Sequence, residues 1–194
     1  MSYSHQNKIA DTRQIGLAIV SPDGKQGMQE HARDLAAAKI PFIFDPGQGL
    51  PMFDGEELKE FIALADYIAV NDYEAELLQS KTGFSLDEIA QQCQALIVTR
   101  GDQGSWIYHD GQRTDVPCVA ATRIQDPTGC GDAYRAGLLY GIAQGWSWLI
   151  TGRIAAILAA IKIAHKGGQN HHFDYAQVAQ HYQSVFGEAL PASV

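Results

Sequence analysis

From Ile15 onward, short apolar runs alternate with longer stretches in which apolar residues recur every three or four positions. Residues 15–20 (Ile-Gly-Leu-Ala-Ile-Val) read as a strand. Residues 25–39 read as a helix with Met28, Ala32, Leu35 and Ala36 near one face. Residues 41–44 form a second strand that stops at Asp45-Pro46-Gly47. A helix over 54–64 follows, with Asp54 placed to cap it. The pattern then gives a strand over 67–70 ending at Asn71, a helix over 74–81, a short helix over 86–92 and a strand over 95–99. Residues 104–109 and 112–116 read as a hairpin through Asp110-Gly111, a strong turn pair. Three helices complete the chain, over 131–143, from 148 or 151 to 164, and over 174–186. Apolar, β-branched strands separated by amphipathic helices predict βαβ units and a mostly parallel sheet. There is no internal repeat and no linker, so residues 1–194 are expected to form one α/β domain.

Composition narrows the partners. The chain is 46% hydrophobic and 19% charged, with a formal net charge of −8. That balance argues against nucleic acid or an anionic membrane as the main partner, while leaving room for a local pocket that takes a nucleotide. Cys93, Cys118 and Cys130 have neither metal-ligand spacing nor an even count for disulfides. A reducing cytoplasm fits them best. Residues 1–11 are polar and lack the apolar run of a signal peptide. The most apolar helix, over 154–164, ends in Lys162 and His165-Lys166 and reads as a buried core helix and not a membrane span.

In open α/β sheets, ligands collect at the carboxyl ends of the strands. Asp45, Asn71 and Thr99-Arg100-Gly101 all fall there. Asn71 with Glu74 has the spacing of a capping box, which explains both residues without a ligand. Thr99 to Gly104 reads equally as a strand running through a glycine turn into the hairpin. The chemistry is densest at Asp126-Pro127-Thr128-Gly129-Cys130-Gly131-Asp132-Ala133-Tyr134, directly before a long helical pattern. Glycines at the entry to a helix let an anion approach N–H groups that have no helical partner. A carboxylate beside such a cradle is electrostatically unfavourable unless it has its own task, and removing a proton from an attacking hydroxyl is one.

This nine-residue stretch resembles the second signature of the ribokinase-like carbohydrate kinases, the PfkB family, whose usual form is Asp-Thr-Thr-Gly-Ala-Gly-Asp-Ala-Phe. Pro127, Cys130 and Tyr134 are the departures, and they look most like an adenosine-kinase-like bacterial branch. The resemblance implies a ribokinase-like three-layer α/β/α fold and phosphorylation of a sugar or nucleoside hydroxyl by ATP, with adenosine or a related ribosyl compound favoured. It makes Asp132 the catalytic base and the N–H groups of Gly129, Cys130 and Gly131 the stabilisers of the transferring phosphoryl group. Asn71 and Glu74 match the family's Asn-x-x-Glu, with Glu74 reaching Mg2+ through water. Thr99, Gly101 and Gly104 match a Thr-x-Gly-x-x-Gly pattern and become nucleotide contacts, and Asn170 approaches the adenine. Asp126 and Thr128, with the loop near 165–170, are implied in holding a monovalent cation such as K+. A helix C-cap at Gly167-Gly168 explains that loop just as well.

Cys130, at a helix N-terminus, is expected to have a lowered pKa and to react with alkylating reagents. Adjacent His171 and His172 point in different directions and have no evident third metal ligand. Trp146 and Trp148 read as core. The resemblance covers the carboxyl-terminal part of the family, so the fold is expected to lack the amino-terminal strands and lid that receive the acceptor. Such an exposed edge favours a homo-oligomer or a complementing chain. The alternative to a kinase is a truncated, non-catalytic nucleotide-binding module. A Rossmann dehydrogenase is disfavoured, because no Gly-x-Gly-x-x-Gly follows the first strand.

Overall fold

The computed structural model describes Ile9 and residues 14–192. It divides into two compact units, Met1–Arg100 with Trp106–Thr114, and Gly101–Ser105 with Asp115–Val194.

The strands are β1 (Ala18–Val20), β2 (Phe42–Phe44), β3 (Tyr67–Asn71), β4 (Ala95–Thr99), β5 (Ser105–His109) and β6 (Gln112–Val116), and they lie in that order in one sheet. β1 to β4 are parallel, with Val20 opposite Phe44, Ile43 opposite Tyr67 and Asn71 opposite Thr99. β2 is buried throughout, and β3 and β4 are buried except at Asn71 and Thr99, which is why their sequences are continuous apolar runs without polar alternation. Asp110 and Gly111 both take positive φ at the hairpin turn, which favours the Asp-Gly pair found there.

In the first unit the helices are α1 (Lys25–Ala37), α2 (Gly55–Leu64), α3 (Asp72–Thr82) and α4 (Leu86–Ala90). Phe44 and Phe61 stack at 4.3 Å and Phe53 meets Phe61 edge-on, so the ring cluster joins β2 to α2. Capping boxes begin α2 at Asp54, α3 at Asn71 and α4 at Ser85. The pattern reading did not foresee the 3₁₀ segment Gly47–Met52. It is too short for a period to show, and Pro51 interrupts it.

The second unit holds α5 (Cys130–Ala143), α6 (Trp148–Ile163) and α7 (Tyr175–Phe186). α5 and α6 approach closely through glycine. A Cβ on Gly137 would overlap the Cα of Ala155 and come within 2.8 Å of its N, and one on Gly141 would lie 2.6 Å from Thr151 Oγ1. α6 is apolar on most sides and correspondingly buried, with Ile154, Ala155 and Ile157 in the core. Among the described residues, no helix is long and apolar enough to cross a membrane.

Candidate active site

In the first unit, the parallel register sets Asn71 beside Thr99 at the carboxyl ends of β3 and β4. The Asn71 Oδ1 accepts the Glu74 N–H at 2.7 Å, and Glu74 Oε2 accepts the Asn71 N–H at 2.9 Å. The capping box is therefore formed, and it fixes the Glu74 carboxylate at the mouth of α3. Thr99 Oγ1 donates to the Val70 carbonyl at 3.4 Å. Arg100 lies over the Trp106 ring at 4.0 Å, with Arg113 on the same ring at 4.8 Å.

The second unit contains the rest of the predicted residues. Gly101 and Gly104 both have positive φ. Gly104 is also pressed against the chain at Val116 and Cys118, where a Cβ would come within 2.8 Å of the Cys118 N. Ser105 Oγ and the buried Tyr134 hydroxyl are 2.6 Å apart, tying this loop to α5. Burial pushes the Tyr134 phenol up to about 12, so it stays a neutral partner at ordinary pH.

Around the signature, Gly129 caps α5 in the left-handed conformation at φ 79°. A Cβ there would meet Gly168 Cα at 3.2 Å and Lys162 Cε at 3.6 Å, so two glycines let two loops touch. Asp126 is held by its own loop. Its Oδ1 accepts the Thr128 N–H at 2.9 Å and its Oδ2 accepts the Gly167 N–H at 2.8 Å. Those bonds, with Gly167 the largest contribution, bring the carboxyl down to about 2. Asp132 stands exposed in the first turn of α5.

One sequence expectation, the lowered pKa of the Cys130 thiol, changes here. The Cys130 N–H donates to the Pro127 carbonyl at 3.1 Å, which engages one of the three expected cradle donors inside its own turn. The Cys130 thiol pKa is raised, not lowered. Burial is the chief cause, and the Asp126 and Asp132 carboxylates add to it against the opposing Lys162 charge. Asn170 folds back on its own loop, its Nδ2 donating to the Lys166 carbonyl at 3.0 Å. Trp146 packs edge-on against Tyr140 at 5.4 Å and is half-buried, outside the core in which the sequence placed it.

The family model for pfkB family carbohydrate kinases matches residues 5–173. The chain belongs to the pfkB family. A nucleoside kinase of Burkholderia thailandensis, solved in complex with ADP-inosine, is 52% identical with a TM-score of 0.94, over 96% of this chain and 59% of that one. The nucleoside kinase of Methanocaldococcus jannaschii is 38% identical over 65% of this chain and 42% of its own length. That of Methanothermobacter thermautotrophicus is 30% identical over 94% of this chain and 58% of its own. The chain thus spans about half the length of these curated relatives. The ribokinase-like fold is shared.

The sequence reading gave no role to Arg135 and took Lys162 only as the end of a core helix. Arg135 is buried in α5 and its Nη1 lies near the face of Gly131, 3.5 Å from where a Cβ would be. Lys162 is wholly buried in the last turn of α6. A charged residue inside an otherwise apolar helix was the available signal for both.

Proposed function

We propose that this chain carries the nucleotide-binding and phosphoryl-transfer machinery of an ATP-dependent nucleoside kinase. The observation that carries the reading is Asp132 in the first turn of α5, directly behind the left-handed Gly129 and the helical Gly131. A purine nucleoside is favoured as acceptor, supported by the 52% identity to a kinase solved with ADP-inosine; adenosine is the related candidate.

Asp132 accepts the proton of the acceptor hydroxyl as that oxygen attacks the γ-phosphate of ATP. The bond from the γ-phosphorus to the bridging oxygen breaks, leaving ADP. The N–H groups of Gly129 and Gly131, at the positive end of the α5 dipole, stabilise the charge on the transferring group. Asn71, Thr99, Gly101, Gly104 and Asn170 are the proposed nucleotide contacts. Mg2+ would supply neutralisation of phosphate charge. One carboxylate from Glu74, held in place by Asn71, suits an ion that keeps much of its water shell. Three free thiols fit a reducing cytoplasm. β1, three residues at the end of the sheet order, is the edge at which a second copy or a complementing chain would add.

The test is ADP release from Mg-ATP by the purified chain, with inosine, adenosine and ribose as acceptors. Asp132→Ala should lower kcat about 10²–10⁴-fold while ATP still binds. An unchanged kcat would remove Asp132 from the mechanism. ATP binding without acceptor-dependent ADP from wild type would favour a non-catalytic nucleotide-binding module.

A further inference from the structure

Lys162 has a role that the phosphoryl-transfer scheme leaves open. It is wholly buried, and an ammonium in that position is tolerated only if oxygen atoms replace its water. Its Nζ donates to the Asp126 carbonyl at 2.8 Å and to the His165 carbonyl at 3.1 Å. These acceptors belong to two loops, one leading into the signature and one leaving α6. The same two loops are joined by the Gly167 N–H on the Asp126 carboxylate and by the contact of Gly129 with Gly168. Lys162 Cε runs beneath the cradle glycine.

Main-chain carbonyls converging on one positive charge are also the chemistry that strips and holds a bare monovalent cation. The resemblance implies such an ion at Asp126 and Thr128. The residues do not fit it. The Asp126 carbonyl already faces an ammonium, the Thr128 N–H and Gly167 N–H occupy the Asp126 carboxylate, and a second cation here would be repelled by the first.

We propose that Lys162 is a tethered substitute for the monovalent cation, a positioning residue that holds the loop of Asp126 to Asp132 in register and makes transfer indifferent to potassium. Because the ion is covalently attached, its occupancy does not depend on salt. The inference rests on the kinase reading for its activity assay, but not for its binding assay.

The experiment compares chloride salts of choline, sodium and potassium at equal ionic strength. Wild type should turn over inosine and Mg-ATP at the same rate in all three. Lys162→Ala should lose about 10²-fold in kcat, the scale of a misplaced catalytic group. The loss should fall on kcat more than on the KM for ATP. Potassium or ammonium should restore part of it, since either ion can occupy the vacated carbonyls. Potassium activation of wild type would overturn the proposal. So would a folded Lys162→Ala that keeps full turnover, or one that no cation rescues.

Thermal melts of wild type in the same salts give a readout independent of turnover and of any variant's folding. A specifically bound ion raises Tm by mass action. Equal Tm in potassium and choline supports the tethered cation, and a higher Tm in potassium overturns it. Wild type inactive in every salt would instead defeat the kinase reading, and the melts would still decide the role of Lys162.

Discussion

Asp126 ties the signature loop to the loop after α6, and its titration should be visible in stability. Its carboxyl is lowered from an ordinary 3.8 to about 2 by the Gly167 and Thr128 N–H groups. A group with a depressed folded pKa contributes stability that is present above the unfolded value and is lost as pH falls through the folded one. The contribution should therefore be full above about pH 4 and gone near pH 2. Asp126→Asn should lower Tm at pH 7, and the gap to wild type should close between pH 4 and 2, followed by circular dichroism melts. A gap that stays constant over that range would show that the charge is not what Thr128 and Gly167 hold. Cys130 teaches a related lesson at the same scale. Its position at a helix start is legible in the sequence and argues for a low thiol pKa. Burial and two neighbouring carboxylates reverse that argument, and both come from packing that local sequence does not display.

Elements were the most legible level, because their signals are local. Asp54 three residues before Glu57, and Asn71 three before Glu74, announce their helices, and both capping boxes form. The apolar runs of β3 and β4 match their burial almost residue for residue. What the pattern did not disclose is which helix face meets which. Gly137 and Gly141 read as ordinary members of an apolar helix, yet they are the contact surface with α6. Alanine is the better helix former by about 1 kcal/mol. At Gly137 its Cβ would nonetheless collide with the Ala155 backbone, and overpacking of that kind costs about 1–3 kcal/mol. Gly137→Ala should therefore lower the urea midpoint. A raised midpoint would mean that α5 and α6 stand further apart than described.

Over the whole chain, the candidate site was legible where it is contiguous. Nine consecutive residues, from Asp126 to Tyr134, carry the pfkB signature, and no folding is needed to bring them together. The structure joins them to Gly167, Gly168 and Lys162 by running the chain down α5 and back along α6. Nothing near Lys162 in sequence identifies Asp126 as one of its acceptors, because the two meet only after the helices pack. The same return of the chain closes the end of α6. The Ile163 carbonyl accepts the N–H groups of both Gln125 and Asp126, and the Ala164 carbonyl accepts Arg123 Nε. A helix end would otherwise leave such carbonyls to water. The signature loop thus borrows its order from α6 instead of having the independent mobility usual for a surface connection. In deuterium exchange, the Gln125 and Asp126 amides should open with the slow amides of α6 and share their denaturant dependence. Exchange at the rate of a frayed loop would mean that the loop breathes on its own, whereas co-exchange would make the loop and α6 a single cooperative unit that is ordered or lost together.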